Sequence, residues 1–127
     1  MVMEGQHGGY SQLWIVVPEG TNKNSRHQIS FQELSYTVFG FVNRDFDTNK
    51  YRFVYSSMTT PGTTFDYDVN TRNSKLLKEK PVPNYDRSLN QVERLEAKSN
   101  DGTMVPISLV FHSDMRVQGR HLLHLYG

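Results

Sequence analysis

Tyr51-Arg52-Phe53-Val54-Tyr55-Ser56, followed by Thr60-Pro61-Gly62-Thr63 and then Thr64-Phe65-Asp66-Tyr67-Asp68-Val69, is the stretch that decides the fold class. Side chains of a strand point to opposite faces at a period of two. Tyr51, Phe53 and Tyr55 therefore share one face, with Arg52, Val54 and Ser56 on the other. Phe65, Tyr67 and Val69 likewise oppose Thr64, Asp66 and Asp68. Between the runs, Pro61 presets φ for the second position of a turn, and Gly62 is suited to the positive φ of a type II turn. The segment reads as a β-hairpin.

Outward from it, further strands are expected at Gln12 to Val17, Gln28 to Gln32, Tyr36 to Val42 and Ser74 to Lys78. Short strands with frequent turn signals suggest the blades of a propeller, a sandwich or a barrel. The character changes at Glu79-Lys80-Pro81-Val82-Pro83-Asn84-Tyr85-Asp86, where two prolines oppose both helix and central strand and mark a linker. Beyond it, Leu89, Val92 and Leu95 recur at helical spacing, so local pattern favours a helix. Against this, Asn100-Asp101-Gly102 favours a primed hairpin turn into the alternating Val105, Ile107, Leu109 and Phe111, which draws residues 93 to 99 toward strand. The final His121-Leu122-Leu123-His124-Leu125-Tyr126-Gly127 is an apolar, strand-like run; such a strand normally passes into a turn and a covering helix.

Bulk properties bound the function. The chain has 127 residues, 36% of them hydrophobic, and a mean hydropathy of −0.61, a thin apolar supply for an independent domain. Fourteen basic and 13 acidic residues leave a net charge of +1, with no broad field to gather nucleic acid or anionic lipid. Cysteine is absent, which excludes disulfides, thiolate metal sites and cysteine nucleophiles. The longest apolar run, Leu13 to Val17, falls far short of the roughly 20 residues of a membrane helix. The start, Met1-Val2-Met3-Glu4-Gly5, lacks the basic and apolar regions of a signal peptide, so a soluble, cytoplasmic protein is expected.

Candidate chemistry is sparse. His121 and His124 are the closest histidine pair, but a three-residue offset puts them on opposite faces of a strand; His7, His27 and His112 stand alone. Asp45 with Asp47, and Asp66 with Asp68, could each share a strand face, where solvated surface positions are the plainer reading than paired acid/base work. The GxSxG nucleophile elbow is absent, as are GxGxxG and GxxxxGK[ST]; Gly8-Gly9 reads as an ordinary flexible stretch. Phe39-Gly40-Phe41-Val42 matches the centre of the RNP1 pattern of RNA-recognition motifs, but Thr37, Val38 and Arg44 break its flanks and an aromatic strand in a β core is the better account. No catalytic, cofactor-binding or metal-binding residue is assigned.

The ordered runs Tyr55-Ser56-Ser57-Met58-Thr59-Thr60-Pro61, Phe65-Asp66-Tyr67-Asp68, Pro81-Val82-Pro83-Asn84-Tyr85-Asp86, Asp101-Gly102-Thr103, Val105-Pro106-Ile107-Ser108-Leu109-Val110 and Leu125-Tyr126-Gly127 resemble the oligopeptidase B branch of the prolyl oligopeptidase family of serine peptidases. The resemblance is strongest from Arg52 to Gly127; residues 12 to 51 look like a preceding blade. It implies a mainly β chain made of the end of a β-propeller and the first strands of an α/β-hydrolase domain. Late propeller blades would occupy residues 1–78, the interdomain hinge 79–92, and the opening strands of the hydrolase domain 93–127. It further implies that the catalytic serine, aspartate and histidine, and the acidic residues that select Arg or Lys, fall after the position matching Gly127. The family's Tyr-Gly-Tyr-Gly motif would begin at Tyr126-Gly127. The expectation is a truncated portion of a peptidase that in complete form hydrolyses short peptides after Arg or Lys, needs no cofactor, and is inactive as this chain alone. The alternative is a stand-alone β-rich interaction module, with self-association through exposed strand edges and no nucleic-acid or membrane partner.

Overall fold

The computed structural model describes residues 1–16, 26–115 and 122–126. Nine strands occur among them: β1 (Val2–His7), β2 (Tyr10–Val16), β3 (Arg26–Ile29), β4 (Tyr36–Gly40), β5 (Lys50–Ser57), β6 (Thr63–Asp68), β7 (Asn73–Glu79), β8 (Asn90–Lys98) and β9 (Met104–His112). They form three antiparallel sheets, β1-β2-β3, β4-β5-β6-β7 and β8-β9. No α-helix occurs among the described residues. The chain is mainly β, as its alternation implies.

The central hairpin lies where the sequence puts it. Phe53 pairs with Phe65 and Tyr51 with Tyr67 across β5 and β6, which sets the aromatic side chains of both strands on one face. The turn is different from the expected one. Gly62 does not take a positive φ, so no type II turn forms at Pro61-Gly62. Instead the Ser57 amide donates to the Thr60 carbonyl at 3.0 Å, and Ser57 Oγ accepts from the Thr59 and Thr60 amides at 3.1 and 2.8 Å. A type II arrangement does occur in the linker, with Pro83 second and the left-handed Asn84 third (φ 58°), closed by the Tyr85 amide on the Val82 carbonyl at 3.4 Å.

Strand β1 was not anticipated, and Gly8-Gly9 is no slack segment. Both glycines are left-handed, at φ 57° and 77°, and join His7 directly to its partner Tyr10, the two-residue primed turn that suits the twist of a hairpin. At the other hairpin Gly102 is left-handed (φ 89°) while Asn100 and Asp101 are not. The Gly102 amide returns to the Ser99 carbonyl and the Ser99 amide to the Thr103 carbonyl. This is a three-residue loop closed by glycine, and not the primed turn expected. Strand β8 covers the whole of Leu89–Leu95 except its first residue, overturning the helical reading: each β8 residue gains a ladder partner in β9, which the helical spacing of three apolar residues cannot match.

One core joins the first two sheets: Leu13, Ile15 and Ile29 from one, Val38, Phe53, Tyr55 and Tyr67 from the other. Phe53 is 1% exposed and Leu13 fully buried, each contributing about 1.5–3 kcal/mol by leaving water. Phe31, from the loop after β3, stacks on Tyr55 with ring centroids 5.0 Å apart and meets Phe53 edge-on at 5.7 Å. The β8-β9 ribbon lies outside this core, with Leu95, Val105 and Ile107 substantially exposed. The expected strand at the chain end is not formed over the described residues 122–126, where Leu122 and Tyr126 are fully open to solvent and have no ladder partner among the described residues. Val17, His121 and Gly127 lie outside the described residues.

Because Phe53 bridges both sheets, Phe53→Ala should cost about 3–5 kcal/mol in urea unfolding; a loss below 1 kcal/mol would mean that the sheets are not packed as described.

Candidate functional site

The densest polar constellation surrounds Glu33, in the loop between β3 and β4. Its Oε1 accepts from Thr60 Oγ1 at 2.6 Å and Thr59 Oγ1 at 3.1 Å, and its Oε2 accepts from the Tyr55 hydroxyl. Thr59 and Thr60 are buried. Burial pushes the Glu33 carboxyl up, but the hydroxyls of Thr60, Tyr55, Ser57 and Thr59 together outweigh it and hold the group below the ordinary carboxylate range. Burial, then the bond to Glu33, raises the Tyr55 phenol. The linker reaches this cage from outside. The Tyr85 hydroxyl donates to the Thr59 carbonyl at 2.7 Å, and Arg87 Nη1 donates to Thr60 Oγ1 at 3.1 Å. Beside it opens a cavity of about 530 Å³ lined by Phe31, Phe53, Phe65, Leu76, Glu33, Glu79 and Arg87, among others.

A second contact holds the β8-β9 ribbon. Arg94 lies over the Tyr10 ring, 3.8 Å from its centroid, and donates from Nη2 to the Gly8 carbonyl at 2.8 Å. A Cβ on Gly9 would stand 3.0 Å from that nitrogen, so the glycine turn also admits the guanidinium. Nearby, the Ser108 and Ser35 hydroxyls are 3.0 Å apart.

The residues singled out from sequence are engaged structurally or stand apart. Asp66 does share a face with Asp68, but it pairs bidentately with Arg52, at 2.7 Å to Nε and 2.9 Å to Nη2. That bond, working against burial, keeps its carboxyl below the ordinary range. Asp68 Oδ1 caps the β6–β7 turn by accepting from the Asn70 and Thr71 amides. Asp45 and Asp47 lie in an irregular loop, not on a strand, because residues 41–49 leave the sheet. His27 Nε2 meets the Tyr67 hydroxyl at 2.7 Å between the sheets; burial and then Arg72 lower its pKa. His7 ends β1, and His112, paired with Asn90 in the ribbon, has its Nδ1 3.8 Å from the Asp114 carboxylate, while the adjacent Ser113 hydroxyl donates to the Leu89 carbonyl. The His121–His124 pair lies partly outside the described residues.

In the RNP1-like run, Gly40 is packed: its amide donates to Glu4 Oε1 at 2.9 Å, and the Tyr51 hydroxyl donates to the same oxygen. Phe39 and Phe41 are about half exposed. Sequence reasoning missed Glu33 because its partners lie more than 20 residues away, and missed Arg94 because the turn that receives it belongs to the unforeseen β1–β2 hairpin.

A four-stranded antiparallel sheet stacked face to face on a second sheet is the construction of propeller blades. Residues 1–80 match the profile of the prolyl oligopeptidase N-terminal beta-propeller domain. The chain belongs to the prolyl oligopeptidase family. Its whole length aligns with Protease 2 of Moraxella lacunata, at 33% identity over 128 residues, covering 18% of that protein. Dipeptidyl aminopeptidase BI of Pseudoxanthomonas mexicana is 35% identical over 106 residues, 81% of this chain and 15% of the relative. Among solved structures, oligopeptidase B from Trypanosoma brucei with covalently bound antipain, in a closed form, superposes with a TM-score of 0.81 at 29% identity, over 92% of this chain and 17% of that one. The chain thus spans less than a fifth of the length of these relatives.

A Glu33 pKa held low makes the charged cage stabilising above the ordinary carboxylate pKa, about 4.3, and that stability disappears as pH falls through the lower folded value. Thermal unfolding of the parent and of Glu33→Gln should therefore differ most near pH 6 and converge toward pH 3; a gap that does not change with pH would contradict this.

Proposed function

We propose that this chain is the propeller-to-hydrolase junction of an oligopeptidase-B-type serine peptidase, one that hydrolyses short peptides after Arg or Lys through an acyl-enzyme. In this reading residues 1–78 are late propeller blades, 79–92 the interdomain hinge and 93–127 the opening strands of the hydrolase domain. The observation that carries it is the pairing of a complete four-stranded blade, β4 to β7, with whole-length similarity to Protease 2, which continues through β8 and β9 beyond the 80 residues matched by the propeller profile. The amphipathic β8-β9 ribbon supports the assignment of 93–127. It presents Leu95, Val105 and Ile107 on one face, as the first strands of a larger sheet would.

Peptide hydrolysis of this class needs a nucleophile, a base and an orienting acid brought together. Among the described residues no serine hydroxyl faces a histidine that is in turn held by a carboxylate. In this reading the 127-residue chain contributes framework, and its own turnover of peptides should be nil.

A chimera tests the positive half of the proposal. Replacing the aligned 128-residue stretch of Protease 2 by this chain should give an enzyme that cleaves fluorogenic peptides ending in Arg or Lys in preference to those ending in Ala or Pro. A folded chimera without that activity, or turnover by the isolated chain that survives removal of contaminating proteases, would contradict it.

A further inference from the structure

We infer that Glu33, Thr60 and Arg87 form a polarised latch that sets whether the β8-β9 ribbon is docked on the blades. The inference rests on hydroxyl directionality and stands apart from the peptidase reading. A carboxylate is acceptor-only, so each hydroxyl bonded to it must give it the proton. Thr60 Oγ1 spends its single proton on Glu33 Oε1 at 2.6 Å, which leaves a lone pair aimed outward. Arg87 Nη1, a donor with no acceptor capacity, takes that lone pair at 3.1 Å. The chain of bonds runs one way, from guanidinium to hydroxyl to carboxylate. Reversing the Thr60 hydroxyl would point a proton at a cation.

The same carboxylate places the second linker contact. By holding the Thr59 hydroxyl at 3.1 Å, Glu33 fixes the β5–β6 loop in the form that offers the Thr59 carbonyl to the Tyr85 hydroxyl. From Tyr85 the linker is stiff as far as β8. Asp86 Oδ1 caps the turn at Arg87–Leu89 by accepting from the Ser88 amide and hydroxyl. Asn90 Nδ2 returns to the Asp86 carbonyl, and Ser113 from the end of β9 donates to the Leu89 carbonyl. Displacement of Arg87 is thereby passed to the ribbon as a body; between this unit and Lys80, whose amide donates to the Gly62 carbonyl at 2.9 Å, lies only the exposed turn with its left-handed Asn84. Other holds on the ribbon include Arg94 on Gly8 and Tyr10 and Ser108 on Ser35, polar contacts of the kind found at interfaces that open reversibly.

The cysteine-free sequence makes this measurable at Ser35 and Ser108; because Ser35 lies two residues from Glu33, the Arg87 variant, outside that loop, is the decisive arm. In a Ser35→Cys/Ser108→Cys chain the two thiols replace hydroxyls 3.0 Å apart, and the fraction of intramolecular disulfide in a fixed glutathione buffer reads the docked population. Added singly, Thr60→Val, Glu33→Gln and Arg87→Met should each lower the disulfide equilibrium constant severalfold, toward about tenfold for loss of a charge-assisted bond. Glu33→Gln is nearly isosteric, but its amide cannot accept all three hydroxyl protons. Arg87 lies on the exposed linker, so its variant leaves the blades folded. An unchanged disulfide constant in Arg87→Met, or in Glu33→Gln with native near-UV circular dichroism, would overturn the latch; a fall in all three supports it.

Discussion

The aromatic face of β5 is the constraint on which the rest depends. Phe53 and Tyr55 must be covered on one side by Leu13 and Ile15 of the first sheet and along their length by Phe31 and Phe65. An open four-stranded sheet cannot hide such a face by itself. The second sheet can, and its approach then dictates the close packing at Gly40, where a side chain would fall within 2.6 Å of Glu4 Oε1 and against the Tyr51 hydroxyl. The loop from Ser30 to Ser35 follows from the same demand. It must carry Phe31 onto Tyr55, and in doing so it delivers Glu33 to the Tyr55 hydroxyl. The polar cage is thus a consequence of the apolar core: a buried phenol requires a partner, and the partner it receives also orders the β5–β6 loop.

This arrangement gives the chain two tiers of stability. Blades share buried aromatic area, whereas contacts of the linker and the β8-β9 ribbon with the blades include hydrogen bonds and the Arg94–Tyr10 cation–π contact, and an isolated two-stranded ribbon is marginal in water. Such a gradient puts the easier local opening in the linker and ribbon and the rigidity in the two stacked sheets. The polar contacts at Thr59, Thr60, Gly8 and Ser35 all face the linker and ribbon, so the blade loops on that side have a shared task.

How much of this was legible depended on where the determining partner lay. Tyr51–Val69 announced itself because alternation of aromatics is a local signal, and the linker because prolines act on their own neighbours. Val2–His7 escaped, since Met3, Glu4, Gly5, Gln6 and His7 carry no apolar alternation and the strand exists through its pairing with β2. Gly8-Gly9 did hold the signal of a primed turn, which could have revealed that hairpin. The geometry at Pro61-Gly62 could not be read locally, because Glu33 holds the adjacent threonines from 26 and 27 residues away. Leu89, Val92 and Leu95 mimicked a helix for the same reason: long-range pairing with β9 outweighs local spacing. Of the site, no sequence feature pointed to Glu33 or Arg87, whose roles are set by tertiary neighbours.

Native-state hydrogen exchange, resolved by residue on the intact 127-residue chain, tests the central claim most directly. Amides of Phe53 to Tyr55 in β5 and of Leu13 to Ile15 in β2 should be the slowest and should exchange with one common opening free energy, because a shared core opens as a unit. Amides of β8 and β9 should exchange faster, through a separate, smaller opening. Equal protection of the ribbon and the blades, or β2 exchanging independently of β5, would contradict the account.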